Sequence, residues 1–171
     1  MKTTTNKNYG NTVVQRRPFS EGVKRHIEIY TDGASRGNPG PSAIGIFIKD
    51  GSGREIIKKG EYLGETTNNV AEYTAVIRGL KYLLNKKLFK ITNIEVIVNT
   101  DSELLVNQLN GNYRIKSQNL IPLAIEARGL LKKFPKVKFN LIARKENKIA
   151  DKLANKSMNL HDDIEELVEK Y

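Results

Sequence analysis

The sequence predicts an α/β fold: a mixed five-stranded sheet, three strands antiparallel and the later two parallel to the first, flanked by helices. Three observations carry this. Three strand-like stretches follow one another between residues 26 and 63 with short links, which an antiparallel meander satisfies best. Near residue 69 the apolar period lengthens from two to about 3.6. Two further strand patterns, at 94–98 and 137–142, then alternate with helical stretches. With no internal repeats, 171 residues suit one domain with a sizeable core.

Residues 1–24 are rich in Thr, Asn, Lys and Arg and read as a basic, mobile tail, the alternative being a segment docked on the domain through Val13, Val14 and Phe19. The domain is expected over 25–160. His26 to Tyr30 alternates polar and apolar residues, placing Ile27 and Ile29 on one face of a first strand that Thr31 and Asp32 end. Gly33, Gly37 and Gly40, with Pro39 and Pro41, then make a loop too rich in φ-permissive and φ-locked residues for helix or ladder.

Ser42 to Ile48 is the second strand, with Ile44, Ile46 and Ile48 on one face and Gly45 and Phe47 on the other; Asp50-Gly51-Ser52-Gly53 turns it into a third, Arg54 to Leu63. Val70, Tyr73, Ile77, Leu80 and Leu84 mark a helix from about Asn69 to Lys86, with Asn68 or Asn69 as its N-cap. The β-branched run Ile94 to Val98 is a buried strand, closed by Asn99-Thr100-Asp101, and Ser102 to Leu109 a short helix ended by Asn110-Gly111. Gln118 to Lys133 gives another helix, stopped by Pro135, before the fifth strand, Val137 to Ile142. A last helix, Asn147 to Met158, turns Ile149, Ala150, Leu153, Ala154 and Ser157 inward. The acidic extension 161–171 spaces Ile164, Leu167 and Val168 as a helix would; it reads either as an amphipathic extension or as a segment packed back on the basic domain.

Lysine and arginine outnumber acids 29 to 19, a net charge of +10. Basic residues crowd the N-terminus and acids the C-terminus, so the domain between stays basic while holding an acidic cluster described below. A basic surface around an acidic pocket fits a polyanion gripped by its backbone, although a solvated lysine-rich surface looks the same from charge alone. The chain has no cysteine, which excludes disulfides, a thiol nucleophile and cysteine-ligated zinc. No apolar run has the length of a membrane span, and the N-terminus lacks a signal's apolar core, so an intracellular, cytoplasmic protein is expected.

Asp32, Glu72, Asp101 and Asp151 stand at or near element ends. If the first and fourth strands are neighbours, Asp32 and Asp101 come within reach, and the helices starting near Asn69 and Asn147 add Glu72 and Asp151. Each acid has a local alternative. Asp32-Gly33 is a common turn pair. Glu72, three residues after Asn69, fits a capping box. Asp101 can cap the helix after it, and Asp151 can pair on a helix surface with Lys148 or Asn155. Gathered together, four carboxylates repel one another unless cations compensate. Carboxylate and water ligands without His or Cys suit Mg²⁺ or Mn²⁺ rather than zinc.

The stretches Tyr30-Thr31-Asp32-Gly33 with Gly37-Asn38-Pro39-Gly40-Pro41, then Thr67-Asn68-Asn69-Val70-Ala71-Glu72, Thr100-Asp101-Ser102, and Asn147 with Asp151, resemble type 1 ribonuclease H in order and spacing, over about Ile27 to Met158. The resemblance implies the same ribonuclease H-like architecture. It also implies endonucleolytic, two-metal-ion hydrolysis of the RNA strand of RNA–DNA hybrids, giving 5′-phosphate and 3′-hydroxyl ends. It makes Asp32 the residue bridging two ions, with Glu72 and Asp101 completing one ligand set and Asp151 helping to hold the other ion. Backbone groups of Gly33, Ala34, Ser35 and Arg36, with the side chains of Asn38, Asn68 and Asn69, become readers of the 2′-hydroxyl, and Thr67 a contact to a phosphate of the DNA strand.

The chain departs from the best-known pattern in two places. Many relatives carry a histidine in the loop after the fifth strand; here that loop is Ile142-Ala143-Arg144-Lys145-Glu146, as in archaeal and some bacterial ribonucleases HI, and His26 and His161 lie elsewhere. Arg144 or Lys145 can bind phosphate there but is a poor proton shuttle near neutral pH. The segment Gly111 to Ser117 is too short for an extra basic helix, there is no tryptophan, and Glu103 stands where some relatives have glutamine. Substrate grip then falls to Arg36, Lys116, Arg144, Lys145 or the tail. Two further readings remain: the same chemistry extended to double-stranded RNA, and a catalytically silent nucleic-acid-binding module, against which the presence of all four acids argues. A monomer is expected.

Overall fold

A computed structural model of the protein describes residues 26–85 and 94–167. Strands β1 (His26–Ser35), β2 (Gly40–Asp50) and β3 (Glu55–Thr66) form an antiparallel meander. Helix α1 (Asn68–Asn85) leads to β4 (Glu95–Thr100), α2 (Glu103–Leu109) and α3 (Ile121–Leu131), then to β5 (Lys136–Leu141), α4 (Lys148–Leu160) and β6 (Ile164–Leu167). Among the described residues these strands make one sheet in the order β5-β4-β1-β2-β3-β6. β4 lies parallel to β1, and β5 parallel to β4, as helical crossovers require.

Strand alternation decides which layer each residue joins. Ile27 and Ile29 of β1 and Ile44, Ile46 and Ile48 of β2 share one buried face, and Val76, Leu80 and Leu83 of α1 with Ala124, Ala127 and Leu130 of α3 belong to the same core. Each isoleucine so buried contributes roughly 1.5–3 kcal/mol. The opposite face receives α4. A β-carbon on Gly45 would fall 1.8 Å from the Ala150 carbonyl oxygen, and one on Gly60, its cross-strand partner, 2.7 Å from that of Leu153. Two adjacent positions without side chains thus seat the helix backbone on the sheet, and Ala150, Leu153, Ala154, Ser157 and Met158 are buried.

Several expectations need correction. β1 does not end at Asp32 but pairs with β2 through Ser35↔Ser42, so much of the glycine-rich stretch is ladder. Ladder bonds use backbone groups alone, and Gly33, lacking a side chain, lets the strand run on beneath α1. The N-cap of α1 is Thr67, whose Oγ1 accepts the Val70 N–H at 3.3 Å, rather than Asn68 or Asn69. Glu72 therefore lies beyond the first turn and forms no capping box. Ile149 is 39% exposed instead of inward, because the seat on Gly45 and Gly60 sets the rotation of α4.

The sheet has six strands instead of five. After a left-handed His161 (φ 51°), the described part of the acidic extension packs back as β6, pairing Gly60↔Ile164 to Ile57↔Leu167. An open β3 edge offers unpaired backbone groups to whatever chain follows, and this outweighs the helical spacing of Ile164 and Leu167. Asp163 Oδ1 accepts the Tyr62 N–H at 2.9 Å, and Glu165 pairs with Lys59 at 3.4 Å. The expected N-terminal tail, Lys86 and Val168 lie outside the described residues.

Candidate metal centre

Parallel pairing of β1 with β4 brings two acids together. Tyr30 and Asn99 are register partners, and two residues further along each chain come Asp32 and Asp101, at the carboxyl ends where crossovers leave room for a ligand. Glu72 arrives from α1 by close backbone approach. A β-carbon on Gly33 would lie 2.2 Å from the Glu72 amide nitrogen and 2.4 Å from the Ala71 carbonyl carbon. Only glycine lets the helix come this near the strand, so the residue after Asp32 sets the distance to Glu72.

One carboxylate oxygen from each of Asp32, Glu72 and Asp101 lies within 4.8 Å of the others. Asp32 is 7% exposed and Glu72 6%, while Asp101 is half-buried. Burial, then the charges of Asp101 and Asp151, push the Asp32 carboxyl up to about 7, against a smaller downward pull from Arg144 and the Gly33 amide. Glu72 is raised as well, first by burial and then by Asp32 and Asp101. Glu72 Oε2 is buried and has no hydrogen-bond partner among the described residues.

The fourth acid stands apart from this trio. Asp151, in the first turn of α4, is outside the 4.8 Å group, yet close enough that its charge raises Asp32. Its Oδ1 lies 3.3 Å from Arg144 Nη2, neither of the local alternatives Lys148 and Asn155, and the Asn155 side chain bonds only to its backbone oxygen. Asn147, the residue before α4, is 1% exposed, and its Nδ2 donates to the Thr31 carbonyl at 2.8 Å and to Asp101 Oδ1 at 3.1 Å. An asparagine before a helix reads as a cap, but this one makes no side-chain cap bond; the motif it forms with Asp151 marked the residue without indicating its inward role.

Crowded like charges, an orphaned buried carboxylate oxygen and an all-oxygen donor set fit a hard divalent cation, and Asp32, Glu72 and Asp101 are placed to hold it. The 190 Å³ cleft between β3 and α1, lined by Lys59, Arg78 and Tyr82 among others, contains none of these acids.

The residues expected to meet substrate separate into two groups. Gly33 is packed against α1, Ser35 Oγ lies between the Gly37 carbonyl at 2.5 Å and the Thr66 carbonyl at 3.0 Å, and Thr67 caps α1, so these three shape the loop. Ala34 is half-buried. Asn38, Asn68 and Asn69 are exposed together, with the Asn68 N–H donating to Asn38 Oδ1 at 3.3 Å. Arg36 bonds to Asn159 Oδ1, and Arg144 is 81% exposed beside Asp151. His26, six residues before Asp32, is about 20 Å away at strand rise. His161, ten residues after Asp151, is about 15 Å away at helix rise.

Residues 30–157 match the model of the reverse transcriptase-like family. A bifunctional protein of Mycobacterium tuberculosis is 34% identical over 134 residues, 78% of this chain and 35% of that protein. The chain thus spans about a third of the length of the mycobacterial relatives it matches. Ribonuclease HI of Halobacterium salinarum is 36% identical over 133 residues, 78% of this chain and 64% of that protein. The crystal structure of RNase H1 from that archaeon superposes with a TM-score of 0.73 at 34% identity, covering 78% of this chain and 98% of the other. LC11-RNase H1, solved in complex with an RNA/DNA hybrid, gives 0.73 at 40% identity over 79% of this chain and 98% of that one.

Proposed function

The chain belongs to the reverse transcriptase-like family and, within it, to the type 1 ribonucleases H; on that premise we propose that it is a metal-dependent endoribonuclease that hydrolyses the RNA strand of RNA–DNA hybrids, leaving 5′-phosphate and 3′-hydroxyl ends. The observation that carries this reading is the trio Asp32, Glu72 and Asp101, gathered within 4.8 Å with one buried oxygen left unpaired. In this reading Asp32, Glu72 and Asp101 hold one Mg²⁺, and Asp151 with Asp32 a second, Mn²⁺ serving in the same place. Bound there, the ions supply the Lewis acidity that activates water and stabilises the leaving 3′ oxygen.

The chain's own groups do the rest. Asp32 takes part as a carboxylate, so ligand binding expels the proton that burial favours at neutral pH. Asn38, Asn68 and Asn69, exposed on one surface, offer the donors and acceptors that distinguish a 2′-hydroxyl from hydrogen. Held in shape by Gly33 and Ser35, the loop turns its Ala34 and Arg36 backbone toward the RNA strand; Thr67 Oγ1, which accepts the Val70 N–H, has its own O–H to offer a phosphate of the DNA strand, and Arg144 meets a phosphate on the Asp151 side. LC11-RNase H1, at 40% identity, was solved with such a hybrid, which supports the substrate class. No described helix is long and apolar enough to cross a membrane. The enzyme is read as a cytoplasmic monomer.

The test uses matched labelled RNA–DNA, RNA–RNA and DNA–DNA duplexes with Mg²⁺, Mn²⁺ or EDTA, comparing wild type with Asp101→Asn. The RNA strand of the hybrid is expected to be cut only by wild-type protein with metal. Equal cutting of DNA–DNA rejects the 2′-hydroxyl argument, and cleavage that survives Asp101→Asn rejects the metal assignment. Cutting of RNA–RNA would widen the substrate class without changing the chemistry.

A further inference from the structure

We propose that Asn147 is a positioning residue that sets the separation of Asp32 and Asp101 by bonding at once to the strand backbone beside one and the carboxylate of the other; this rests on the metal-dependent reading above. Its side chain sits where three elements meet. One Nδ2 hydrogen bond goes to the carbonyl of Thr31, the residue before Asp32 on β1, at 2.8 Å, and the other to Asp101 Oδ1, beyond the end of β4, at 3.1 Å. Its own carbonyl accepts the Asp151 N–H at 3.0 Å, so the same residue starts the helix turn that carries the fourth acid.

The chemistry narrows the choice of side chain. Two donors diverging from one rigid planar nitrogen on a short stem are needed. Serine offers one donor, aspartate at neutral pH none, and glutamine carries the amide one carbon too far. Asn147 is 1% exposed, and among the described residues its Oδ1 has no hydrogen-bond partner, so its amide is anchored through Nδ2. Both Nδ2 donors are committed, one to the β1 backbone beside Asp32 and one to the Asp101 carboxylate, which ties the spacing of the two acids to a single planar group.

Groups that orient metal ligands in this way typically change metal affinity about 10–100-fold when replaced. The experiment titrates Mg²⁺ into substrate-free wild type, Asn147→Asp, Asn147→Ser and Asp101→Asn by calorimetry, follows thermal unfolding of each, and measures kcat and KM on an RNA–DNA hybrid. Asn147→Asp keeps the shape but breaks the pair of donors, leaving one O–H if the new acid is protonated and a charge facing Asp101 if it is not. It is expected to unfold cooperatively, to weaken Mg²⁺ binding at least about tenfold, and to lower kcat with little change in KM; Asn147→Ser falls between it and wild type. If Asn147→Asp does not fold, Asn147→Ser carries the comparison alone, and there too weakened Mg²⁺ binding supports the proposal. A folded Asn147 variant that binds Mg²⁺ as wild type does overturns the positioning role. If Asp101→Asn also binds Mg²⁺ and cleaves as wild type does, it is the metal-dependent reading itself that fails.

Discussion

Gly33 and Glu72 are in backbone contact: a β-carbon on the glycine would stand 2.2 Å from the glutamate's amide nitrogen. Because that nitrogen belongs to a helix backbone, no side-chain rotation relieves the clash, and α1 must move as a body. Gly33→Ala is therefore expected to cost about 1–3 kcal/mol or more in unfolding free energy. It should also cut hybrid cleavage by on the order of 100-fold by displacing Glu72. Chemical denaturation and single-turnover cleavage measure the two effects; retention of both would remove Gly33 from the site's design.

The raised Asp32 carboxyl gives the metal-free protein an inverted pH response. Unfolded, the group releases its proton near its ordinary 3.8; folded, it keeps it up to about 7. The folded state thus holds more protons between those values, so the contribution is full below the lower one and is lost as pH rises through the upper. Stability attributable to this group falls by up to about 1.4 kcal/mol per pH unit across that window. Melting curves in EDTA from pH 4 to 8 should show this relative to Asp32→Asn, and Mg²⁺ should stabilise wild type more at pH 8 than at pH 5.5.

Substitution at the seat of α4 separates packing from chemistry. Gly45→Ala places its new atom 1.8 Å from the Ala150 carbonyl oxygen, against 2.7 Å from the Leu153 carbonyl oxygen for Gly60→Ala. Both lower the melting temperature, Gly45→Ala the more. Gly45 is the register partner of Asp32 and lies under the first turns of α4, so it should also impair cleavage, whereas Gly60→Ala largely spares activity measured below its melting point.

Removing residues 164–171 opens the β3 edge from Ile57 to Gly60. Truncation is expected to reduce stability by on the order of 1–3 kcal/mol and to promote self-association, read by light scattering, while metal affinity stays near wild type. Glu165→Gln alone should cost no more than about 0.5 kcal/mol, since its pair with Lys59 is solvent-exposed.

Arg144 pairs with Asp151 on the surface, its side chain 81% exposed. Arg144→Ala should leave stability within about 1 kcal/mol of wild type. If Arg144 meets a substrate phosphate, KM for the hybrid rises and its dependence on salt becomes shallower, seen by repeating the cleavage assay across ionic strengths.

The element types and their order from β1 to α4, and the three acids that cluster, were legible in the chain, because alternation in Ile44, Ile46 and Ile48 and the 3.6-residue spacing in α1 are local signals of which side of an element is dry. The ends of elements were less so. β1 ran past Asp32 because ladder pairing asks nothing of the side chains at Gly33 to Ser35, and β6 formed because an unpaired edge was available, a condition no segment carries in its own residues. The local alternatives for Glu72 and Asp151 were likewise undecidable before folding, since a capping box and a surface pair have the same spacing as ligands. What only tertiary structure decided is distance. Gly33, Gly45 and Gly60 as surfaces of contact, and Asn147 as a bridge between Thr31 and Asp101, matter through atoms 38 to 116 residues away along the chain. The carboxylates reach their raised, mutually repelling state only when packing strips them of water.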